Sequence, residues 1–459
     1  MPGAALARLW QLAQLPEEAL AFADLQGTDP VYPSSFAVAT AAQSTIAAAA
    51  LAACELGHLR GTPRQRVAVA AEHAAAECLG WFTVDGRQPQ LWDPFSGLYR
   101  ARDGWVRVHA NFRHHREGAL RLLGLDPETA DRQAAEQALA HRDALAFEQA
   151  AADAGLVATA LRSFAQWDAT EQGRAIAAQP LLTIRRIGDD APPRALAPLG
   201  LAQRPLQGVR VLDLTRILAG PVGGRALAAY GADVMLVNAP HLPNIEAIAD
   251  TSRGKRSVLL DLRAADDRAA MDRLLADTHV FVQGYRPGAL AALGYAPEQL
   301  AAARPGIVCV SLSAYGTQGP WRERRGFDSL VQTAMGFNLA EAEACGDAHR
   351  PRPLPMQILD EATGYLIAFG AAAALHRQQR EGGSWHVQVS LAQTGHWLRQ
   401  LGRVADGFAA TPPSLEPWLE SHASGFGLLC GLRHSAQLSR TPAGWIRPSE
   451  PPGHSPAQW

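Results

Sequence analysis

Cysteine is scarce and poorly spaced for pairing. The five residues (Cys54, Cys78, Cys309, Cys345 and Cys430) are scattered through 459, with no C-x-x-C. An odd, dispersed set argues against a disulfide framework or a zinc site and for reduced thiols in a cytoplasm. An excess of either charge is missing too. Forty-two Lys and Arg against 44 Asp and Glu leave a formal net charge of −2, so no global field draws the chain to nucleic acid or an anionic membrane. Long apolar runs are absent. The longest, Ile46 to Cys54, is too short and too alanine-rich to span a bilayer and reads as a packed core helix. The N-terminus spaces its apolar residues as a helix does and carries no continuous signal core.

What is present is an ordinary globular composition, 47% apolar and 19% charged, over a length suited to about three domains. Its most informative stretch runs from Gly208 to Leu236, G-V-R-V-L-D-L-T-R-I-L-A-G-P-V-G-G-R-A-L-A-A-Y-G-A-D-V-M-L. Val209 to Leu214 suits a buried parallel strand, Ala219-Gly220-Pro221 opens a helix, Gly231 closes it, and Asp233 starts the next strand. Such a helix N-terminus offers free N–H groups to a phosphate-bearing ligand. A dinucleotide site does not fit. Gly220, Gly223 and Gly224 do not make G-x-G-x-x-G, and Asn238 stands where an acidic residue would hold a ribose.

Further strands are expected at Ser257–Leu262, Thr278–Gln283 and Gly306–Leu312, with helices between them. The fold class is therefore α/β, a doubly wound parallel-sheet domain plus a smaller α/β domain placed N-terminally. The smaller unit includes the hairpin turn Asp103-Gly104, the strand Trp105–Val108 and helices at 117–125 and 144–154. A Pro-rich linker runs from Asp189-Asp190 to Pro205. The expected segments are 1–91, helical; 92–204, small domain and linker; 205–403, the large parallel-sheet domain; and 404–459, a tail packing on the large domain. An internal repeat links the first and third. Pairing Val67 with Val387 (387 − 67 = 320) also pairs Ala42 with Ala362, aligning two alanine-rich helices that each lead to a V-x-V strand.

Five phrases then occur in order: R-G-K-R-S-V-L-L-D-L-R from Arg253, G-Y-R-P-G-A-L from Gly284, S-L-S-A-Y-G-T-Q-G-P from Ser311, R-G-F-D from Arg325, and Asp360 at the head of an apolar helix. Together with the Gly208 unit they resemble the class III CoA-transferases, the group that includes formyl-CoA:oxalate transferase and carnitine CoA-transferase. The resemblance is most specific from Pro205 to Arg399. It implies that 205–403 is a nucleotide-binding, specifically CoA-binding, catalytic domain, and a rearranged domain order with the small domain ahead of it. It also implies a homodimer acting on an acyl-CoA and a small organic acid. Neither a metal nor a cofactor beyond CoA as substrate is implied.

By its own setting Asp360 reads as a helix N-cap. The resemblance makes it the nucleophile, with the helix N-terminus expected to hold it ionised. Arg263 is implied near the nucleotide phosphates, with Leu260 and Tyr285 lining an adenine slot. Ile217 is a CoA contact or plain core, and Arg325 a CoA contact or a solvated charge. Arg286 is a phosphate contact or a brace to a carboxylate such as Asp261. Leu218 replaces a Gln of the oxalate-type enzymes, so oxalate or formyl-CoA chemistry is not expected, and Ala239 replaces their Arg after the second strand, removing one expected CoA contact. In the repeat the partner of Asp360 is Thr40 (360 − 320 = 40), which cannot serve as that nucleophile. Two alternatives stand beside transfer. A racemase of the same fold needs a histidine where Phe327 stands, and phenylalanine cannot shuttle a proton. A non-catalytic CoA-binding scaffold is the other, and it would be favoured if Asp360 lay away from a cleft holding Arg325 and Tyr285.

Overall fold

Residues 1–188 and 191–459 are described by a computed structural model; Asp189 and Asp190, where the linker is expected to begin, lie outside the described residues. Seven strands form the central sheet: β1 (Leu182–Ile187), β2 (Arg210–Leu214), β3 (Asp233–Asn238), β4 (Lys255–Leu259), β5 (Val280–Gln283), β6 (Val308–Ser313) and β7 (Ser384–Ser390). Their order is β4-β3-β2-β5-β6-β7-β1. All pairs are parallel except β7 with β1. The chain winds outward from β2 through β3 and β4, then restarts on the other side with β5, so the order reverses between β2 and β5. A crevice opens at such a switch point, above the C-terminal ends of the two strands. The expected strands from Val209 onward are all present, within two or three residues of their expected bounds. β1 is a correction: it lies in the large sheet, not in the smaller unit to which 92–204 was assigned. Its antiparallel edge position is set by a pairing with β7, some 200 residues away, that no local pattern announces.

Three helices form the apolar centre: α1 (Val38–Leu59), α2 (Ala219–Ala229) and α3 (Ile358–Glu381). α1 and α3 are long and apolar enough to cross a membrane by length and composition, but both are enclosed by the rest of the protein. Alanine and glycine let these helices approach closely. A Cβ on Gly223 would fall 2.7 Å from Ile367 Cγ2, and one on Gly364 would fall 2.7 Å from the Ala219 carbonyl oxygen. A buried Lys255–Asp213 pair (2.8 Å, neither side chain exposed) ties β4 to β2, and Lys255 Nζ also donates to the Pro221 carbonyl at 2.7 Å. The Gly-Pro turn is thereby clamped to the sheet.

The repeat is structural. α1 begins at Val38 and α3 at Ile358 (358 − 38 = 320); the helix after each V-x-V strand begins at Ala71 and at Leu391 (391 − 71 = 320). Strand Val67–Ala70 has a parallel neighbour, Ala23–Gln26, and an antiparallel one, Gln437–Leu438, as β7 has β6 and β1. Both helices are capped from a distance at equivalent residues. Asp29 accepts from Ala39 N and Thr40 N (2.9 and 2.8 Å), and Asp328 accepts from Asp360 N (2.9 Å) and from Leu359 N. Thr40 thus occupies the place of Asp360 beside a retained cap.

Strands Gly97–Arg100, Trp105–Val108 and Ala158–Ala160 form the antiparallel sheet of the smaller unit, with helices Arg113–Leu122, Arg132–Ala140 and Ala144–Asp153. It packs against the segment leading to Asp328: His109 stacks on Phe327 at 4.0 Å, and the buried Arg162–Glu148 pair (2.7 Å) is joined by Arg324. The tail packs on the large domain, with Trp445 and Trp459 donating to the Arg225 and Leu274 carbonyls.

Candidate active site

The crevice at the switch point is a cavity of about 350 Å³. Its floor is the loop after β2 (Arg216, Ile217, Leu218) and the start of α2 at Ala219; one side is the loop after β5, with Tyr285 and Arg286. Arg325 and Phe327 close the opposite side, the smaller unit contributes Phe112, His114 and His115, and Asp360 lies at the inner end. The structure thus brings together Asp360, Ile217, Tyr285, Arg286 and Arg325. The placement of Asp360 away from these residues, which would have favoured the scaffold alternative, is not observed. Leu260 and Arg263 are not brought to this cavity. Leu260 is buried in the apolar layer beneath the sheet, and Arg263 is exposed and paired with Asp261 at 2.7 Å. That pairing also removes the brace once open to Arg286.

Asp360 is the third residue of α3, not its cap. Gln357 precedes the first turn and makes no side-chain capping bond, and the cap is supplied by Asp328 instead. Its charge state differs from the expectation. Burial, then Asp328, then Glu361 raise its carboxyl well above the ordinary range, so the ionised form is disfavoured in the free protein. Burial outweighs the helix N-terminus because two further carboxyls lie in the same enclosed space. Burial lifts Asp328 to about 7 against the hydrogen bonds it accepts, and lifts Glu361 to about 8 against the pull of Arg225. Gln332 Nε2 donates to Asp328 Oδ1 and its Oε1 accepts from Leu354 N, so the capping carboxylate is rigidly held.

Ile217 has a φ of 78°, the left-handed region that a β-branched residue enters only under strain. The strain is located where the loop must turn from β2 into α2 under the cavity. Gly220 is required there, because a Cβ would fall 2.3 Å from Thr215 Cβ. Arg286, Arg324 and Arg325 also line an adjoining outer cavity of about 520 Å³ beside Trp321, so a basic channel leads outward from Asp360.

Four contributors were not singled out from the sequence. Arg216 follows β2 by two residues, after Thr215, and its position in the switch loop was the available signal. Asp328 stood in a quoted phrase without a role. His114 and His115 are adjacent in sequence, but nothing local ties them to an aspartate 245 residues on (360 − 115 = 245). His115 Nε2 lies 2.9 Å from Arg325 Nη1, and burial lowers its pKa to about 3, so it is neutral and accepts that bond.

Residues 206–411 match the family model of CoA-transferase family III. An acyl-CoA transferase of Gibberella moniliformis is 31% identical over 315 residues, 64% of this chain and 55% of that protein. A Mycobacterium tuberculosis protein named "Probable fatty acyl-CoA transferase" is 33% identical over 230 residues, 47% of this chain and 58% of that one. The crystal structure of a hypothetical protein of Mycobacterium tuberculosis aligns at 33% identity over 44% of this chain and 59% of its own, with a TM-score of 0.40. The chain therefore spans somewhat more than half the length of the curated relatives it matches.

Proposed function

We propose that this protein, whose residues 206–411 match the model of CoA-transferase family III, moves CoA from an acyl-CoA donor to a carboxylic acid through covalent intermediates on Asp360. The observation that carries the reading is the position of Asp360 at the inner end of a switch-point cavity that also holds Arg325 and Tyr285. Arg286 faces the phosphates of CoA along the outward channel, and Tyr285 and Ile217 line its path.

The chemistry balances without ATP. The Asp360 carboxylate attacks the donor thioester carbonyl, the C–S bond breaks, and a mixed anhydride and CoA thiolate result. Thiolate then attacks the aspartyl carbonyl, expelling the donor acid and leaving an aspartyl-CoA thioester. The acceptor carboxylate attacks that thioester, and the released thiolate takes the acceptor acyl group from the second anhydride, restoring Asp360. Each difficult acyl transfer is divided into steps between species of similar energy. The low exposure of Asp360, 8%, favours this course by limiting hydrolysis of the anhydrides. Attack requires the ionised carboxylate, so Asp360 must lose the proton that burial holds on it.

The test is mass spectrometry after incubation with a panel of acyl-CoAs and hydroxylamine, which converts an activated aspartyl carbonyl to a hydroxamate. A hydroxamate at position 360, absent from Asp360→Ala, is expected. CoA binding with no hydroxamate from any donor would instead favour a non-catalytic binding protein.

A further inference from the structure

Among the described residues lining the Asp360 cavity, Asp360 is the sole carboxylate, whereas Arg216, Arg286, Arg324 and Arg325 all reach it. Arg324 has its own counterion in Glu148 at 3.4 Å. Arg216 has none: it donates to the Pro243 carbonyl and lies over the Phe112 ring, 5.6 Å from its centroid, while its Nε is buried with no hydrogen-bond partner. Arg325 has only the neutral His115. Because His115 accepts through Nε2, its proton is on Nδ1, and that nitrogen is also buried without a partner. Buried donors and guanidiniums without acceptors call for an anion.

The anion does not have to be a phosphate of CoA. Those phosphates are at the far end of the pantetheine arm from the sulfur, and Arg286 and Arg325 continue into the outer cavity where that arm leads. Arg216 and His115 line the inner cavity alone, the space in which the acid must meet Asp360.

We propose that Arg216, with the His115–Arg325 pair, binds the second carboxylate of a dicarboxylic acid whose first carboxylate is presented to Asp360. The assignment rests on the transferase reading for the identity of the bound molecule as substrate. It makes this inner wall a device for selecting diacids over monoacids of the same length.

Glutarate and pentanoate share a five-carbon chain and differ by one terminal carboxylate, so their binding to the intact protein, measured calorimetrically, isolates the effect. Glutarate is expected to bind more tightly by about tenfold to a hundredfold, the range of one charge-assisted hydrogen-bonded contact. In Arg216→Gln that ratio should collapse toward one, with partial recovery in Arg216→Lys; thermal unfolding of both variants checks that they are folded. Equal binding of the two acids to the wild type, or no measurable binding of glutarate, overturns the proposal. So does an Arg216→Gln variant that loses CoA affinity while keeping the preference for glutarate, since the guanidinium would then serve a phosphate. Hydroxylamine trapping is read separately: selective glutarate binding without any trapped aspartyl group would retain the subsite and remove the transferase reading.

Discussion

Substituting Asp328 with Asn removes one negative charge from beside Asp360 and keeps an oxygen able to cap α3. The Asp328 oxygen accepts from Asp360 N at 2.9 Å. Backbone geometry then sets the two carboxyl groups roughly 5–6 Å apart, where an effective dielectric near 20 gives about 3 kcal/mol of repulsion. Asp328 is itself held up to about 7, so it is only partly ionised near neutrality and the repulsion relieved is smaller than that. The expected shift of Asp360 is downward. Asp360 works ionised, and removing the like charge favours its ionised form. The acidic limb of the pH profile of kcat/KM, which reports the free enzyme, should therefore move to lower pH in Asp328→Asn. Loss of charge from the cap should cost about 1–2 kcal/mol of stability, readable in urea. An acidic limb that stays in place, or moves upward, would refute the account of Asp360 as a carboxyl whose proton is held in part by its neighbour.

Two further outcomes follow from packing and from protonation. Gly364→Ala should destabilise by about 1–3 kcal/mol in urea unfolding, because the added methyl meets the Ala219 carbonyl and Val222 at 2.7 Å; unchanged stability would mean that α2 and α3 are not so closely packed. Burial lowers His73, His279, His376 and His386 to about 4 and His109 and His115 to about 3, so below about pH 6.5 the unfolded chain gains protons first and stability falls with pH. Burial raises Asp328 to about 7 and Glu361 to about 8, so the folded chain keeps protons that the unfolded chain has lost, and stability falls as pH rises through that range. The unfolding midpoint is expected to peak near pH 6.5, the histidines prevailing below it and the carboxyls above; a midpoint still climbing from pH 7 to 9 would contradict these assignments.

Much of the large domain was legible because its signals are local. Val209–Leu214 and its fellow strands are short apolar runs between turn residues, and buried parallel strands need just that. The repeat was legible through one constant offset, and the caps at Asp29 and Asp328 explain why it persists: each helix start requires acceptors for its free N–H groups. Asp360, Arg325 and Tyr285 were found through phrases of the chain, and their meeting at one cavity follows from the winding of the sheet. β1 was missed because an edge strand is defined by its partner, not by its own pattern. The charge of Asp360 was misjudged because a helix N-terminus is visible in sequence, whereas the enclosure of three carboxyls together is not.

The sequence by itself determined the βαβ winding, the Gly-Pro turn and the repeat, since each depends on residues within a few turns or on periodicity along the chain, whereas the candidate nucleophile came through the resemblance to a family. Tertiary structure alone decided which cations face that nucleophile, that histidines from the smaller unit wall its cavity, and that burial opposes its ionisation. Those properties depend on burial and on charges brought together from distant segments, and burial is a property of the folded whole.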